Sequence, residues 1–511
     1  MRRMFLASVI ASVLIALLAI GQGIAAEYDV GGRPFTIMGY ITQGAAFNIT
    51  GKNRLDAPQD LESALTNVFL ETAYKPRDDL KFYGSGMFTA DWAYDIKSNN
   101  NDWVSKGFAS SRSNLYMDNK DWQLVKEAHV TWTPPNWNIR LGKQIVSWGE
   151  MDGFRLIDQI NPLDGRRGFA DVEFETTIIP LWMAKAEYYV PVKPSWIQDL
   201  GVEMVFNPNA EFVGNQFIKP GNNAGGIWAP DINSGLPSPP FPPGAVANVG
   251  SANFDFQRPT AFNSSGYEYG LRIKSVIHDS IITLNGFYGL DQMPVAKVTG
   301  MDPLTTAANG NLLLHPDFTG KYPLMRFVGG TFSRDITPLK ASFLGGVAPV
   351  LRFETFYEFG ATEWTSTNDW VHRDEFRYAA GMDWKVKIPV LNPRAYFTIS
   401  PQFTDRRIMN YPDRTDFTLQ TPGGPLYENN YLTSLMITTS YLHNKLVPSF
   451  FWMRDLTNRS NFFRYQVVYD YSNKWHFSLG VMTFSGSIQG QGFEPFHDKD
   501  EVYFKISYKF G

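Results

Sequence analysis

The chain has 511 residues, a formal charge of −4, 39 Phe, 24 Tyr, 14 Trp and no Cys. Without Cys it is not a disulfide scaffold, a thiol enzyme, a haem-c protein or a thiolate-ligated metal protein. An aromatic content of 15% argues against disorder, and the lack of a basic surplus argues against a nucleic-acid binder. The length fits several soluble domains or one large closed barrel, and the hydrophobic pattern has to decide.

Residues 1–26 read as an export signal. Arg2 and Arg3 open it, Met4 to Ile20 is apolar apart from serines, and Gly21 to Ala26 is a small-residue zone suited to cleavage. The rival reading, a membrane anchor, meets a run that is short for a span and has no charge cluster after it. Loss of Arg2 and Arg3 takes the charge from −4 to −6. No other stretch approaches 18 uninterrupted apolar residues, so residues 27–511 can enter a membrane only as a closed sheet.

Along the rest of the chain the period is two. Gly84-Ser85-Gly86 lies inside a strand and lacks the longer nucleophile-elbow pattern. After the strand Trp137–Ser147 comes the most structured connection, 148–171. It carries Glu150, Asp152, Arg155, Asp158, Asp164, Arg166 and Arg167. Folded inward, these seven are candidates for a channel constriction, because charged rings and clusters set selectivity in pores. The alternative is that they pair with one another and with the wall and only pin the loop. Asn207–Ser264 is long and Pro-rich, including Pro237-Ser238-Pro239-Pro240-Phe241-Pro242-Pro243-Gly244. It cannot pair as a central strand, and is either external or folded into the lumen as a plug.

Tyr267 to Ile273 alternates again. Ser342–Val350 reads as strand or as turn, which sets the count at 18 or 16. From Phe376 to Ile388 one face holds Phe376, Tyr378, Ala380, Met382, Trp384, Val386 and Ile388. The other holds Arg377, Ala379, Gly381, Asp383, Lys385 and Lys387. Phe463, Tyr465, Val467, Tyr469 and Tyr471, and then Trp475, Phe477, Leu479 and Val481, repeat the pattern. The last strand alternates through Val502, Phe504, Ile506, Tyr508 and Phe510, like the terminal strand of outer-membrane proteins.

Connections alternate in length. Short ones fall near Lys75–Lys81, Pro134–Trp137, Pro191–Asp199, Ile277–Ser280, Arg334–Ala341, Lys387–Arg394, Leu442–Leu446 and Asp470–Trp475. Long ones fall at Ala93–Lys120, Trp148–Asp171, Asn207–Ser264, Leu290–Tyr322, Asp405–Asn430 and Ser485–Lys499. The expected fold is all-β: a transmembrane antiparallel barrel of about 18 strands, with short periplasmic turns and long external loops. The face opposite the aromatics supplies the lumen-lining candidates. The cations are Arg140, Arg272, Lys274, Arg352, Arg377, Lys385 and Arg464; the acids are Glu71, Glu268, Glu354, Glu358, Asp383 and Asp470. Neither sign dominates, so no ion selectivity is assigned.

The segment Gly142-Lys143-Gln144-Ile145-Val146-Ser147-Trp148-Gly149-Glu150, followed by Ile160-Asn161-Pro162-Leu163-Asp164, resembles a family of Gram-negative outer-membrane proteins. That family is known only as a domain of unknown function, the thirteen-hundred-and-second of its series. Its pattern is Gly-Arg-Gln-x-x-x-Trp-Gly-Glu and then Ile-Asn-Pro-x-Asp; Lys143 stands where Arg is usual, and Glu173 to Trp182 looks like the segment that follows. The motif covers roughly 137–190. The resemblance implies a barrel and an outer-membrane location, and it brings no catalytic residues with it.

The seven His are scattered, with no His-Glu-x-x-His, phosphate loop or dinucleotide fingerprint. No enzyme activity, metal or cofactor is expected. The leading function is passage of a small solute through a porin-like channel. Alternatives are transport of an apolar or aromatic compound, to which Trp228, Phe241, Phe254 and Phe256 point, a barrel sheath around an electron-transfer cytochrome, and a structural or adhesive surface protein. Expected partners are outer-membrane lipid, the solute and the barrel-assembly machinery, with a periplasmic partner or a homo-oligomer left open.

Overall fold

The computed structural model describes residues 26–50, 61–116, 124–168, 177–191, 194–218, 225–230, 247–249, 253–306, 312–340, 345–364, 369–411, 427–488 and 490–510. The export signal, apart from Ala26, and the run Pro237–Gly244 lie outside these residues.

Eighteen strands form the wall: β1 Pro34–Asn48, β2 Leu65–Arg77, β3 Leu80–Asp91, β4 Val125–Trp132, β5 Trp137–Gln144, β6 Leu181–Tyr189, β7 Ile197–Asn207, β8 Glu268–Ile277, β9 Ser280–Leu290, β10 Leu324–Asp335, β11 Val350–Trp364, β12 Trp370–Val386, β13 Phe397–Ile408, β14 Asn429–Thr438, β15 Leu446–Asp455, β16 Ser460–Asp470, β17 Trp475–Gly486 and β18 Glu501–Phe510. Each pairs antiparallel with the next. The ring closes where β18 runs against β1, from Gly39 opposite Phe510 to Asn48 opposite Glu501. Closure removes every edge, so all strand backbone groups find partners without water. No described helix is long and apolar enough to cross a membrane, and the strands do the crossing.

Alternation sorts the side chains. Phe82, Leu141, Trp182, Leu284, Phe353, Tyr465, Leu479 and Phe504 stand exposed on the outer surface. On the same strands, Tyr83 bonds to Glu71, Lys185 to Glu203 and Arg352 to Asp152, all on the inner side. Both chain ends of the wall, Pro34 and Phe510, lie at the end with the short turns. Two described turns at this end have two residues, Arg77–Leu80 and Ile277–Ser280, and in the second His278 and Asp279 take φ of 44° and 62°. Two positive values in a two-residue loop match the twist of the flanking strands.

Of Ser342–Val350 the described residues 345–349 are not strand and β11 starts only at Val350, yet the count is 18. Two connections at the long-loop end are short, Trp364–Trp370 and Asp455–Ser460. A second sheet also departs from expectation. Val295–Thr306 and Leu312–Lys321, inside what reads as the loop Leu290–Tyr322, pair antiparallel. Ala247–Val249 and Asn253–Gln257, from the Pro-rich excursion, add to Leu312–Lys321 in parallel. The Pro-rich segment thus contributes strands, but short ones outside the barrel wall.

Candidate functional site

The connection from β5 to β6 folds, over its described residues 145–160, inside the barrel. Its start is fixed by glycine. Gly142 has φ of +130°, and a Cβ there would lie 2.2 Å from the Ala128 carbonyl oxygen and 2.7 Å from the His129 Cα. Beyond it, Asn161 ties the loop's two halves to the wall. Its Oδ1 accepts from the Val146 N–H at 2.8 Å, and its Nδ2 donates to the carbonyls of Gln144 and Ile179 at 3.2 and 2.9 Å.

Between these ties the loop buries an apolar face against inward residues of six strands. Val146, Trp148, Met151, Phe154, Leu156, Ile157 and Ile160 pack on Met183, Val205, Phe287, Met325, Phe327, Phe356 and Ala379. Removing this much apolar surface from water is the main force holding the loop in the lumen. Trp148 is fixed at both ends: its ring lies over Gly270, and its Nε1 donates to Glu203 at 2.6 Å.

The polar contacts then set the tip. Glu354 on β11 accepts hydrogen bonds from the N–H groups of Glu150 and, at 2.9 Å, Met151. Arg352, two residues earlier on the same face, donates to the Glu150 carbonyl, to Asp152 at 2.7 Å and to Asp383 at 2.9 Å. Asp383 also accepts from Ser400 at 2.5 Å. Gly153 follows with φ of +84°, where a Cβ would lie 3.8 Å from Phe451 Cζ and 4.0 Å from Met453 Cε. Those two residues belong to β15, so the loop reaches from β5 across the lumen to the far wall.

The seven sequence-nominated loop charges fall into three groups rather than one ring. Glu150 and Asp152 sit at the tip, and Asp152 keeps 62% of its side chain exposed. Asp158 is occupied within the loop, accepting from the N–H groups of Trp148 and Gly149 at 2.5 and 2.9 Å and from Ser147. Arg155 donates to the Asn161 carbonyl at 2.8 Å. Asp164, Arg166 and Arg167 form a separate knot, with Asp164 2.8 Å from Arg166 and 3.9 Å from Arg167. Burial pushes the Asp164 carboxyl up, but the Arg166 hydrogen bonds and both arginine charges outweigh it and hold it at about 2. Most of these charges therefore pin the loop, and of the seven Asp152 alone stands exposed.

The inward wall residues are also divided. Arg377 meets Glu358 at 3.2 Å and Glu375 at 2.5 Å; Arg406 meets Glu363 at 2.7 Å and Glu375. This buried network lies on β11, β12 and β13 toward the long-loop end. Glu268 accepts from Asn207 at 2.7 Å and from the Leu290 N–H. Arg464 donates to the Tyr503 hydroxyl at 2.9 Å, Asp470 contacts His476, and Glu71 accepts from Tyr83 at 2.6 Å. Arg140, Arg272, Lys274 and Lys385 have no ion pair among the described residues.

Sequence reading did not nominate Lys185, Glu203, Glu363, Glu375, Arg406, Phe451 or Met453. Face parity identifies the first two, which share the inner face with Arg140 and Arg272. Glu363 is hidden by the break in register between Glu358 and Ala361, which reverses the face. At the long-loop end a second apolar cluster joins Tyr94, Trp103 and Phe108 to Ile227, Trp228, Phe462, Phe484 and Tyr503. Phe451 and Met453 pack against this cluster, and Met453 also packs against the inner-loop cluster.

An 18-stranded antiparallel barrel with a connection folded into its lumen is the architecture of the outer-membrane porin class. The family described as "Protein of unknown function (DUF1302)" matches residues 7–196, the stretch holding β1 to β6 and the inward loop. This is the family that the Gly142–Glu150 motif resembles. No curated protein sequence matches the chain. Solved structures similar to it include Acinetobacter baumannii OccAB3, at 8% identity over 93% of this chain and 99% of that one, with a TM-score of 0.47. Pseudomonas aeruginosa OccK5 (OpdH) is 9% identical over 93% and 98%, with a TM-score of 0.44. The outer membrane channel DcaP of A. baumannii is 10% identical over 95% and 100%, with a TM-score of 0.38.

Proposed function

We propose that the protein is an exported outer-membrane channel for a small solute, with its short turns in the periplasm and no catalytic role. The observation that carries the reading is the loop's described residues 145–168 packed in the lumen, with Glu150 and Asp152 held against β11 and Gly153 reaching Phe451 and Met453 on β15. A ring of 18 strands encloses more space than inward side chains fill, and a loop that narrows it converts a hole into a filter. In this reading the constriction charges are Glu150 and Asp152, and the other five position them.

The test is reconstitution of the mature barrel into planar bilayers. Discrete conductance steps, with size-limited entry of neutral sugars in liposome swelling, are expected. A folded barrel that never conducts refutes the reading. N-terminal sequencing of the exported protein should start within Ala26–Glu27, and an intact Met1 end would refute export by cleavage.

A second reading, passage of an apolar compound, draws on Met453 bridging two apolar clusters, with Phe451 beside it on the second. Methionine surfaces adapt to varied apolar partners. Growth of a deletion strain on an apolar carbon source, unaltered against wild type, would remove it. A cytochrome sheath needs an empty lumen, and the loop packed inside argues against it.

A further inference from the structure

Two residues suffice to join antiparallel strands, as they do at Arg77–Leu80 and Ile277–Ser280. Three neighbouring connections at the same end are longer: 336–349 between β10 and β11, 387–396 between β12 and β13, and 439–445 between β14 and β15. They hold one another. Asn392, itself buried, donates to the Ser440 carbonyl at 2.8 Å and to Thr439 Oγ1 at 3.0 Å. The Tyr441 hydroxyl donates to the Leu391 carbonyl at 3.3 Å, and the Tyr396 hydroxyl to the Gly345 carbonyl at 3.2 Å. Pro389 and Pro393 bracket the apex of the middle turn and restrict its backbone further. On this braced frame stand apolar side chains. Val390 and Leu391 are 95% and 60% exposed, and Leu442 on the next turn is 60% exposed. Leu442 is also held at φ of 52°, a region a bulky residue seldom adopts and keeps only where its surroundings enforce it. The last strand pair beneath the apex is Val386 with Phe397, so Val390 and Leu391 project past the hydrogen-bonded wall.

The charge of these turns is of one sign. Residues 336–349, 387–396 and 439–445 hold Lys340, Lys387, Arg394 and Lys445 and no Asp or Glu. None of the four has an ion pair among the described residues, and Lys387 lies over the Tyr396 ring. Three acids lie around them. Asp335 is the last residue of β10, Asp383 is deeper in the wall and paired with Arg352, and Asp470, next to Lys445, contacts His476. The turns between β2 and β9 differ, carrying Asp78, Asp79 and Asp279 against Lys193. Exposed apolar residues inside a cationic rim are thus confined to one half of the ring.

We infer that this braced face docks a soluble periplasmic protein, one that presents an apolar depression ringed by carboxylates. The inference rests on the short turns facing the periplasm and goes beyond the channel reading. Burying Val390, Leu391 and Leu442 supplies the attraction, and the four cations select an acidic rim and speed the encounter. An anionic lipid surface would satisfy apolar and basic groups too, but it needs no fixed arrangement of them. Cross-bracing lowers the entropy lost on docking to a partner of definite shape, and this favours a protein.

The chain has no Cys, so Val390→Cys supplies a single thiol in the full-length protein. A membrane-impermeant maleimide should label it only after the outer membrane is permeabilised. Labelling in intact cells puts the turns outside and overturns the inference with that orientation. A photo-crosslinking benzoylphenylalanine placed at Leu391 should then give a protein adduct on the heat-modifiable folded band, and one placed at Asp78 should not. Adducts only with lipid, only with a second copy of this chain, or equal at both positions overturn the assignment. The captured protein, identified by mass spectrometry and purified, is titrated against the barrel in lipid nanodiscs. Val390→Ser with Leu391→Ser, and separately Lys387→Glu with Arg394→Glu, should each weaken binding by about tenfold or more. Raising salt from about 0.05 to about 0.5 M should weaken the wild type and move the charge-reversed pair much less. Binding unaltered in both double variants overturns the inference. Heat-modifiable mobility confirms that each variant is folded. Conductance of the same barrels is recorded separately, so a barrel that binds its partner but never conducts refutes the channel reading alone.

Discussion

Replacing Arg352 with Ala removes the cation that ties the loop tip to the wall. Its guanidinium bonds to the Glu150 carbonyl, to Asp152 and to Asp383, and the side chain is only 9% exposed. Breaking a fully buried pair costs about 3–5 kcal/mol. Here Asp152 is largely exposed and regains water, so the value of a charge-assisted hydrogen bond, roughly 1.5–3 kcal/mol, is the better guide. The anchoring through Glu354 to the Glu150 and Met151 N–H groups survives, and so does the apolar packing. The loop should therefore stay in the lumen while its tip opens more often. At ~1.4 kcal/mol per decade, the open population should rise by roughly 10- to 150-fold. Two measurements follow this: hydrogen exchange of residues 148–154, which should speed up by that factor, and single-channel recordings, which should show larger or noisier conductance. Unchanged protection and unchanged current in a folded Arg352→Ala barrel would refute the claim that this arginine is the latch.

Met453→Ala should open a gap where Gly153 meets β15 and raise conductance, whereas Met204→Ala on the outer face should not; equal effects in bilayer recordings would count against the loop closing on β15. Gly142→Val meets backbone atoms on β4 at 2.2 and 2.7 Å and a φ reserved for glycine, so it should abolish the heat-modifiable folded band. Glu62, in the connection from β1 to β2, has its carboxyl pushed up to about 7 by burial, against the lowering pull of Glu501, Asn48 and Lys499. The folded form therefore holds a proton that the unfolded chain gives up above its usual value of 4.5. Its contribution is full below pH 4.5 and fades as pH rises through 7. Hydrogen exchange of residues 61–64 should accelerate between about pH 5 and 7 beyond the intrinsic rate, at up to ~2.303RT per pH unit for one proton, and level off above 7, and Glu62→Gln should flatten that excess.

The barrel was legible because lipid outside and water inside demand opposite side chains at every second position. Phe376 to Val386 shows this plainly, with its aromatics outward and Arg377 and Asp383 inward. The inward loop was legible as a charged segment, but its anchoring was not. The partners of Glu150 and Asp152 lie about two hundred residues away, on β11, and nothing local announces them. The apolar inner wall was hidden for another reason. Phe450, Phe451, Trp452 and Met453 are apolar on both faces, so alternation gives no side to Phe451 or Met453. The second sheet was missed because Val295–Thr306 and Leu312–Lys321 form a local hairpin outside the membrane-spanning rhythm.

The inward loop leaves the wall after the fifth strand, yet it is gripped by the eleventh and twelfth and closes toward the fifteenth. Its seat is complete only when those later strands are in place, so the packing of the loop and the closing of the ring support each other. A variant that delays the loop risks sealing the wall around an empty or wrongly filled centre.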